Sequence, residues 1–414
     1  MKKLLLILLG LLSGSIINAQ NWELINSNTN RELNSVHFPS ESVGYIAGAY
    51  GTILKTTDGG NSWNALETGI DKTFESIYFI NPQTGFCVGE DSKIIKTTDG
   101  GQTWTEKLSC PSYEYDFNSV YFINSQIGFV AGIHYNTSHP CILKTTDGGE
   151  TWTATTVNNS AEYYFYSVRF ITSNIGFAVG HKYGNGEYNG YVLKTTDGGE
   201  TWNEENFGHI NAELYSVYFV NSQIGYIVGG QYYVNGQEKG IIFKTTDGGQ
   251  NWNSTLIETQ ERLQSVYFIN SQIGYIAGLM GKVLKTTDGG STWAPININS
   301  APCLFSIWFT NAQNGIAVGY RGTIAKTTID NSVTTYDNET IIPYPNPSNT
   351  TIHFPIINSS NNSSTLGIFD ISGKLIEQKL ITEGTEEVVL DLKSYKKGIY
   401  FFRINEHSGK FIVN

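Results

Sequence analysis

The sequence predicts an all-β fold in which seven similar units of four short strands close into a ring. Two linked motifs each recur seven times, and the segments between them alternate apolar and polar residues, with Gly, Asn and Asp at the turns. The start of the chain also resembles the one strand that the last unit lacks. Charged residues make up 15 % and aromatic residues 13 % of the 414 residues, a balance that excludes a largely disordered chain.

Residues 1–19 have the pattern of a secretory signal peptide. Lys2 and Lys3 precede an apolar run, and Ala19 ends a short segment suited to cleavage. The run is shorter than the ~20 apolar residues that a membrane-spanning helix needs. We therefore expect export of a protein without a transmembrane segment.

The first repeated motif, Lys-Thr-Thr-Asp-Gly-Gly-x-x-Trp, predicts a structural turn. Its aspartates are Asp58, Asp99, Asp147, Asp197, Asp247 and Asp288, and a shortened seventh copy starts at Lys326. Asp and Gly-Gly suit a tight hairpin, while the Trp can cover apolar surface between units. The repeated lysines are expected to lie over aromatic rings with their ammonium groups in water.

The second motif, Ser-(Val/Ile)-x-Phe followed by Gly-x-x-x-Gly, supplies the inner two strands of each unit. Its phenylalanines are Phe38, Phe79, Phe122, Phe170, Phe219, Phe268 and Phe309. Four antiparallel strands per unit match the blade of a β-propeller, which removes open sheet edges by closing on itself. Trp22 stands in a segment similar to that around Trp252, so the N-terminal strand should complete the seventh blade of a propeller over residues 20–331.

The repeated turn, as in Thr98 to Trp104, resembles the Asp-box (BNR repeat) of sialidase-type propellers. Together with the Gly-x-x-x-Gly strand, it resembles most closely the photosystem II assembly and stability factor family. That resemblance implies a seven-bladed propeller that helps to assemble protein partners. The basic patch that this family uses for its partners has no matching arginine cluster in this sequence.

The C-terminal part resembles a secretion domain. A polar linker is predicted at residues 332–340, followed at 341–414 by a small β-sandwich with Pro345-Asn346-Pro347, Gly373-Lys374 and Gly398-Ile399-Tyr400 in order. This set resembles the type A sorting domain of type IX (Por) secretion. The resemblance implies the type IX translocon as a partner, and a protein that is secreted or attached to the outer face of the outer membrane.

Blades 3, 4 and 5 have longer connections between their second and third strands, by 5, 7 and 8 residues, than blades 1, 2 and 6. These connections cover residues 133–141, 181–190 and 230–240 and should rise on the face opposite the repeated turns. Their Tyr, His and Asn content is typical of binding loops and of platforms for sugar rings. The candidate ligand-binding residues are Tyr113, Tyr115, His134, Tyr163, Tyr164, Arg169, His181, Tyr183, Tyr188, Tyr232 and Tyr233.

Arg169 replaces an aromatic residue or His at one repeated strand position, and it is the one arginine that the repeat pattern singles out. Cys110 and Cys141 fall on the same face and are candidates for a disulfide in an exported protein. The carboxylates on this face, such as Asp91, Asp116 and Glu213, form no diagnostic catalytic pair in the sequence. No catalytic residue, metal site or cofactor is predicted.

The leading hypothesis is a secreted or surface-displayed monomer that binds an extracellular glycan or protein through its aromatic face and has no enzymatic activity. Two alternatives stay open: a glycoside hydrolase or lyase that uses the same face, and a scaffold for the assembly of another surface complex. The net charge of −11 argues against a nucleic-acid partner, because such a surface repels phosphate.

Overall fold

The computed structural model describes residues 21–107, 115–134, 140–157, 163–184, 187–205, 207, 211–232, 238–257, 261–298 and 301–328 of the N-terminal part. In the C-terminal part it describes residues 343, 348, 350–355, 364–371, 373–382, 385, 387–404 and 407–413. The predicted signal peptide and linker lie outside these ranges. The chain separates into two compact units, Met1–Asp330 and Asn331–Asn414. In the described part, no helix has the length and hydropathy to cross a membrane.

Seven antiparallel sheets form the N-terminal unit. Blade 1 consists of β2 (Leu33–His37), β3 (Gly44–Gly48), β4 (Ile53–Thr56) and β5 (Asn64–Leu66), and blade 2 of β6 (Phe74–Phe79), β7 (Gly85–Gly89), β8 (Ile94–Thr97) and β9 (Thr105–Glu106). Blade 3 consists of β10 (Tyr115–Phe122), β11 (Gly128–His134), β12 (Pro140–Thr145) and β13 (Thr153–Ala154). Blade 4 consists of β15 (Tyr163–Phe170), β16 (Gly176–Gly184), β17 (Glu187–Thr195) and β18 (Thr201–Glu204), with β14 (Thr156–Val157) added in parallel to β18. Blade 5 consists of β19 (Ala212–Phe219), β20 (Gly225–Tyr232), β21 (Glu238–Thr245) and β22 (Asn253–Ile257).

Blades 6 and 7 complete the set. Blade 6 consists of β23 (Leu263–Phe268), β24 (Gly274–Gly278), β25 (Lys282–Thr286) and β26 (Ala294–Asn297), and blade 7 of β27 (Leu304–Phe309), β28 (Gly315–Gly319), β29 (Ile324–Thr328) and β1 (Asn21–Ile25). Single 3-10 turns, Leu279–Gly281 and Tyr320–Gly322, join the middle strands of these two blades.

The N-terminal strand closes the propeller. Strand β1 runs antiparallel to β29, with Asn21 opposite Thr328 and Ile25 opposite Ile324. A circle of hydrogen bonds gives independent evidence of closure. The motif serine of each blade accepts a backbone N–H from the first strand of the following blade, at 3.2 to 3.5 Å, and Val36 N–H to Ser306 Oγ (3.2 Å) completes the circle. The seven-bladed prediction is confirmed.

Aromatic packing repeats in all seven blades. Each motif Trp meets the motif Phe of its blade edge-on, at centroid distances of 5.7 to 6.1 Å, and Trp22 does so with Phe309. The two motif glycines leave room for this packing. A Cβ on Gly128 would lie 2.6 Å from the Phe122 ring, and a Cβ on Gly132 would lie 1.9 Å from the Asp116 carbonyl oxygen. Larger residues are therefore excluded from both positions.

The repeated turn is held by its aspartate, as Asp99 illustrates. Its Oδ1 accepts the Thr103 backbone N–H (2.9 Å) and the Thr97 hydroxyl (2.8 Å), and its Oδ2 accepts the Thr103 hydroxyl (2.6 Å). The repeated lysines differ from the expectation of solvated ammonium groups. Lys55 Nζ lies over the Tyr45 ring (5.3 Å) and donates to the Gly100 carbonyl oxygen (2.8 Å) in the turn of the next blade. Lys96, Lys144 and Lys244 make the same bond to the turn of the following blade, so these four lysines link neighbouring blades.

Acid should loosen these turns. Hydrogen bonds from threonine hydroxyls lower the pKa values of Asp99, Asp197 and Asp288 to about 2, against about 3.9 in an unfolded chain. Because the folded pKa is the lower one, the contribution to stability is fully present above about pH 4 and is lost as the pH falls towards 2. We expect the denaturant midpoint of unfolding to fall over this window, with a shallower decline in Asp99→Asn than in a control, Asp71→Asn, outside the turns. An equal decline in both variants would contradict this assignment.

The C-terminal unit contains two sheets. One pairs β30 (Thr351–Pro355) with β33 (Glu387–Asp391), and the other has the order β32 (Leu375–Ile381), β31 (Ser364–Phe369), β34 (Gly398–Ile404) and β35 (His407–Val413). Alternate residues of β30, β31 and β34 enter one core, in which Phe354 meets Phe402 and Phe411 edge-on. This is the small β-sandwich that the sequence predicts.

Candidate functional site

The surplus residues of blades 3, 4 and 5 extend the middle hairpins at one end of their sheets. Strands β11, β16 and β20 have 7 to 9 residues, whereas β3, β7, β24 and β28 have five. In blade 4 the extension runs to the pair Gly184 and Glu187, and in blade 5 to the pair Tyr232 and Glu238. We call this face of the propeller the loop face, and the opposite one, which bears the repeated turns, the turn face.

Three aromatic side chains surround His181 on the loop face of blade 4, and a fourth extends the group into blade 5. His181 is buried on β16 and stacks on Tyr164 (4.7 Å between centroids, 9° between planes). Tyr188 meets it edge-on at 5.1 Å, and Tyr166 lies at 5.6 Å. Tyr188 in turn stacks on Tyr232 of blade 5 at 5.3 Å. The two raised hairpins are thus joined by ring contacts.

The buried Glu213 carboxylate joins blade 5 to blade 6. Its Oε2 accepts the hydroxyls of Tyr232 (2.6 Å) and Tyr215, and also Nη1 of Arg262 (3.1 Å). Arg262 of blade 6 holds Glu238 with two more bonds, from Nε (2.7 Å) and Nη2 (2.9 Å), and its Cζ lies 5.2 Å from the Tyr232 ring centre. The rim cluster, as we name this set, comprises Tyr164, Tyr166, His181, Tyr188, Glu213, Tyr215, Tyr232, Glu238 and Arg262.

Burial controls the protonation of the rim cluster. It lowers the pKa of His181 to about 4, against the opposing effect of Glu213, so the imidazole is neutral at pH 7. Its Nδ1 stands 3.6 Å from Glu213 Oε1 and makes no hydrogen bond to any described residue. Burial, and next the Glu213 carboxylate, raise the pKa of Tyr215, and the hydrogen bond to Glu238 raises that of Arg262. The phenol therefore stays protonated as a donor and the guanidinium stays charged.

A central channel opens beside the rim cluster. In every blade a β-bulge precedes the motif serine, and bulges redirect side chains. The bulged residues line the channel towards the loop face, and we call them the mouth ring: Asn34, Glu75, Asn118, Tyr166, Tyr215, Gln264 and Phe305. The cavity has a volume of about 170 Å³. Tyr166 and Tyr215 belong to both the rim cluster and the mouth ring, so the cluster forms part of the channel wall.

A second circle lies two residues beyond the motif serines, towards the turn face. We call it the channel ring: His37, Tyr78, Tyr121, Arg169, Tyr218, Tyr267 and Trp308. Neighbouring members contact one another all the way round, at 4.4 to 5.6 Å between centres. Burial, followed by the charge of Arg169, lowers the pKa of His37 to about 3. Arg169 is therefore the one cation among the described residues that line the cavity.

Carboxylates collect on the other side of the mouth, in blades 1 to 3. Burial, and then Glu90, Asp116 and Glu32, raise the pKa of Glu75 to about 7. Burial also raises the pKa of Asp116 to about 6, although the Asp91 backbone N–H that it accepts (3.2 Å) acts in the opposite direction. Within the described ranges no three His, Cys, Asp or Glu residues are arranged to hold a metal ion. The channel mouth is acidic on one side and aromatic on the other.

The predicted site residues divide into three groups. Tyr164, His181, Tyr188 and Tyr232 come together in the rim cluster, Arg169 lies in the channel, and Tyr115 stacks on Phe117 within blade 3. For His134, Tyr163 and Tyr183 only the backbone belongs to the described structure, as part of β11, β15 and β16. Tyr113, Tyr233 and Cys110 lie outside it, so the pairing of Cys110 with the buried Cys141 stays a prediction.

Sequence reasoning missed four of the nine residues of the rim cluster, namely Tyr166, Tyr215, Glu238 and Arg262. The prediction that Arg169 is the one arginine with a specific position was wrong, because Arg262 occupies the centre of the cluster. Tyr166 and Tyr215 stand directly before the motif serine, a position that is aromatic or polar in all seven blades. That regularity was the available signal. No sequence signal marked Glu238, because its partner Arg262 belongs to another blade.

Two sequence families match the chain. The one described as photosynthesis system II assembly factor YCF48 matches residues 15–75, 61–160 and 230–301, and the one described as secretion system C-terminal sorting domain matches residues 343–414. No curated protein matches the sequence.

Several solved structures have a similar fold. "YCF48 bound to D1 peptide" is 22 % identical, with a TM-score of 0.59 over 75 % of this chain and 97 % of that one. YCF48 from Cyanidioschyzon merolae is 18 % identical, with a TM-score of 0.60 over 75 % of this chain and all of that one. PorZ of Porphyromonas gingivalis, described as a bacterial surface component of the type IX secretion system, is 14 % identical, with a TM-score of 0.53 over 91 % of this chain and 58 % of PorZ.

Proposed function

The chain belongs to the family described as photosynthesis system II assembly factor YCF48, and we propose that it is an exported binding protein whose propeller holds a polypeptide segment of a partner against the rim cluster. The C-terminal sorting domain means that the protein is exported by type IX secretion and is either secreted or attached to the outer face of the outer membrane. The partner therefore belongs to the cell surface or its surroundings.

The observation that carries this proposal is the cross-linking of three blade rims into one preformed surface. Glu213 and Arg262 tie blade 5 to blade 6, and the ring contacts of His181 and Tyr188 tie blade 4 to blade 5. A surface whose side chains are fixed in advance loses little conformational entropy on binding. Tyr188, with 36 % of its surface exposed, is the most open member and suits the role of an aromatic anchor.

Ring orientation favours a polypeptide over a glycan. A sugar platform offers an open ring face, but Tyr164 stacks on His181, and Tyr188 stacks on Tyr232. These pairs cover ring faces that a sugar would use. One relative of the same fold carries a peptide, as its description "YCF48 bound to D1 peptide" states.

Hydrolysis receives less support from the carboxylates of the rim cluster. Glu213 and Glu238 both bind Arg262, from opposite sides of its guanidinium. A glycosidase instead aims two carboxyl groups at one bond, with the acid of the pair kept protonated. The arrangement resembles a structural ion network more than a catalytic pair.

Peptide and glycan arrays probed with the purified protein test the proposal. We expect saturable binding to a subset of peptides, because the rim cluster offers one aromatic anchor and fixed hydrogen-bonding groups. Tyr188→Ala should weaken this binding at least about tenfold, as truncation of a central aromatic anchor does. The matched control is Tyr50→Ala, since Tyr50 is an exposed tyrosine in the connection between β3 and β4 of blade 1, and it is not a member of the cluster.

Two outcomes would contradict the proposal. Binding to glycans alone would assign the face to carbohydrate recognition. Equal losses of peptide affinity in Tyr188→Ala and Tyr50→Ala would show that the rim cluster is not the binding surface. Circular dichroism and the unfolding midpoint of both variants show whether a loss reflects binding or folding.

A further inference from the structure

Arg169 is the one member of the channel ring that is not aromatic. Tyrosine occupies the same position in four blades, and His and Trp occupy it in two others. Apart from Arg169, every member is a neutral aromatic side chain at pH 7, including His37 with its lowered pKa. Arg169 is only partly exposed, so its guanidinium loses part of its hydration, and other contacts have to compensate for that loss.

The propeller itself compensates only in part. The Arg169 Cζ lies 5.0 Å from the ring centre of Tyr121 and 5.2 Å from that of Tyr218, and both rings attract a cation. Within the described part of the chain, however, its guanidinium forms no hydrogen bond and no ion pair. Glu75, which lines the same cavity from blade 2, does not pair with it either. Five N–H donors thus remain for a ligand.

We propose that the central channel binds a carboxylate group through Arg169. A carboxylate matches the planar fork of guanidinium with two parallel hydrogen bonds, and such charge-assisted bonds are among the strongest in proteins. A cavity of about 170 Å³ takes a small group of this kind. Gln264 lines the same cavity, and its side chain carries an amide N–H₂ that can donate to a ligand.

The ligand enters from the loop face. The channel ring narrows the turn-face end, because its seven side chains contact one another in an unbroken circle. At the other end, Tyr166 and Tyr215 stand at the mouth as members of the rim cluster. The site requires no polypeptide partner. Where the proposed function also holds, the carboxylate belongs to the polypeptide that the rim cluster retains.

A substitution that copies the other blades separates binding from folding. Arg169→Tyr restores the residue found at this position in the neighbouring blades 3 and 5, so the channel ring should pack as well as before or better. We expect an unchanged or higher unfolding midpoint together with loss of carboxylate binding, since natural binding sites often give up stability for function. Arg169→Lys keeps the charge but loses the planar fork, and should retain part of the affinity.

Equilibrium dialysis of radiolabelled acetate against the purified full chain measures the site directly. The expected result is one saturable site per chain that acetamide, the neutral analogue, does not compete for. Arg169→Tyr should bind acetate about ten- to a hundredfold more weakly, the range for loss of a charge-assisted hydrogen bond. Equal binding by the wild type and Arg169→Tyr would overturn the proposal, as would the absence of saturable binding to the wild type.

Short peptides distinguish the source of the carboxylate. Three probes are based on one neutral sequence. The first ends in a free carboxylate, the second is amidated at its C-terminus, and the third is amidated and has one internal residue replaced by Glu. Competition with acetate by the first assigns the site to chain termini, and competition by the third assigns it to acidic side chains. Competition by neither, with acetate binding intact, leaves a site for small free carboxylates. Tyr188→Ala should retain acetate binding, so failure of the rim proposal and failure of the channel proposal are separable.

Discussion

Replacing Glu213 by leucine is expected to destabilise the propeller by about 3 kcal/mol, the range for removing one partner of a buried ion network. The substitution deprives the hydroxyls of Tyr215 and Tyr232 of their acceptor and leaves Glu238 as the one carboxylate bound to Arg262, which also donates to the Tyr215 hydroxyl (2.8 Å). Chemical denaturation followed by far-UV circular dichroism measures the loss. Peptide binding should fall with it, because the rims of blades 5 and 6 are no longer tied together.

The matched control is Glu238→Leu. Glu238 binds the same arginine but is about a quarter exposed, so its removal should destabilise by about 1 kcal/mol or less. Glu213→Gln should fall between the two, since the amide keeps one acceptor oxygen and loses the charge. A Glu213→Leu variant as stable as the wild type would show that the network adds nothing to folding, and that apolar packing replaces it fully.

The fold followed from the sequence because each blade carries its own constraints. Turn glycines with positive φ, such as Gly100 (73°) and Gly101 (86°), fix the hairpin, and the motif Phe requires a glycine beneath it. Such local requirements repeat in every blade and can therefore be recognised in the amino-acid sequence. Trp22 could be placed for the same reason, since its segment copies the motif without the rest of a blade.

The contacts between blades were not visible in this way. The motif serines recur in the sequence, but their bonds run to the next blade, some 42 to 50 residues along the chain. The contacts of the rim cluster also run between blades and could not be predicted from the repeats. Loop lengths and composition drew attention to Tyr164, His181, Tyr188 and Tyr232, whereas Arg262 lies on a blade without a long connection and acts on its neighbour.

Side-chain direction explains why the sequence did not reveal that Arg169 lies in the channel. Simple alternation along a strand does not reveal the bulge before each motif serine, which sets which residues face the axis. Arg169 was identified as unusual from the repeat, and this was correct. Its position inside the channel could be recognised only from the closed circle of seven blades.

Deleting β1, residues 21–25, is expected to destabilise the N-terminal unit by about 4 kcal/mol or more. The deletion uncovers Phe309, which Trp22 meets edge-on, and removal of a packed Trp alone is worth about 3 to 5 kcal/mol. It also removes the ladder to β29 and leaves that strand as an open edge, which promotes pairing with other chains. Denaturant unfolding and light scattering of the purified protein measure the two effects.

Supplying the strand as a separate peptide tests whether closure of blade 7 accounts for the lost stability. A synthetic peptide of residues 21–28 should restore the unfolding midpoint of the truncated protein and reverse its self-association, because the peptide can occupy the vacant edge of β29. The same peptide with Trp22→Ala keeps the backbone hydrogen bonds but lacks the ring against Phe309, and should restore much less. A truncated protein that remains monomeric and unfolds at the wild-type midpoint would mean that six complete blades and a three-stranded seventh hold the ring closed without β1.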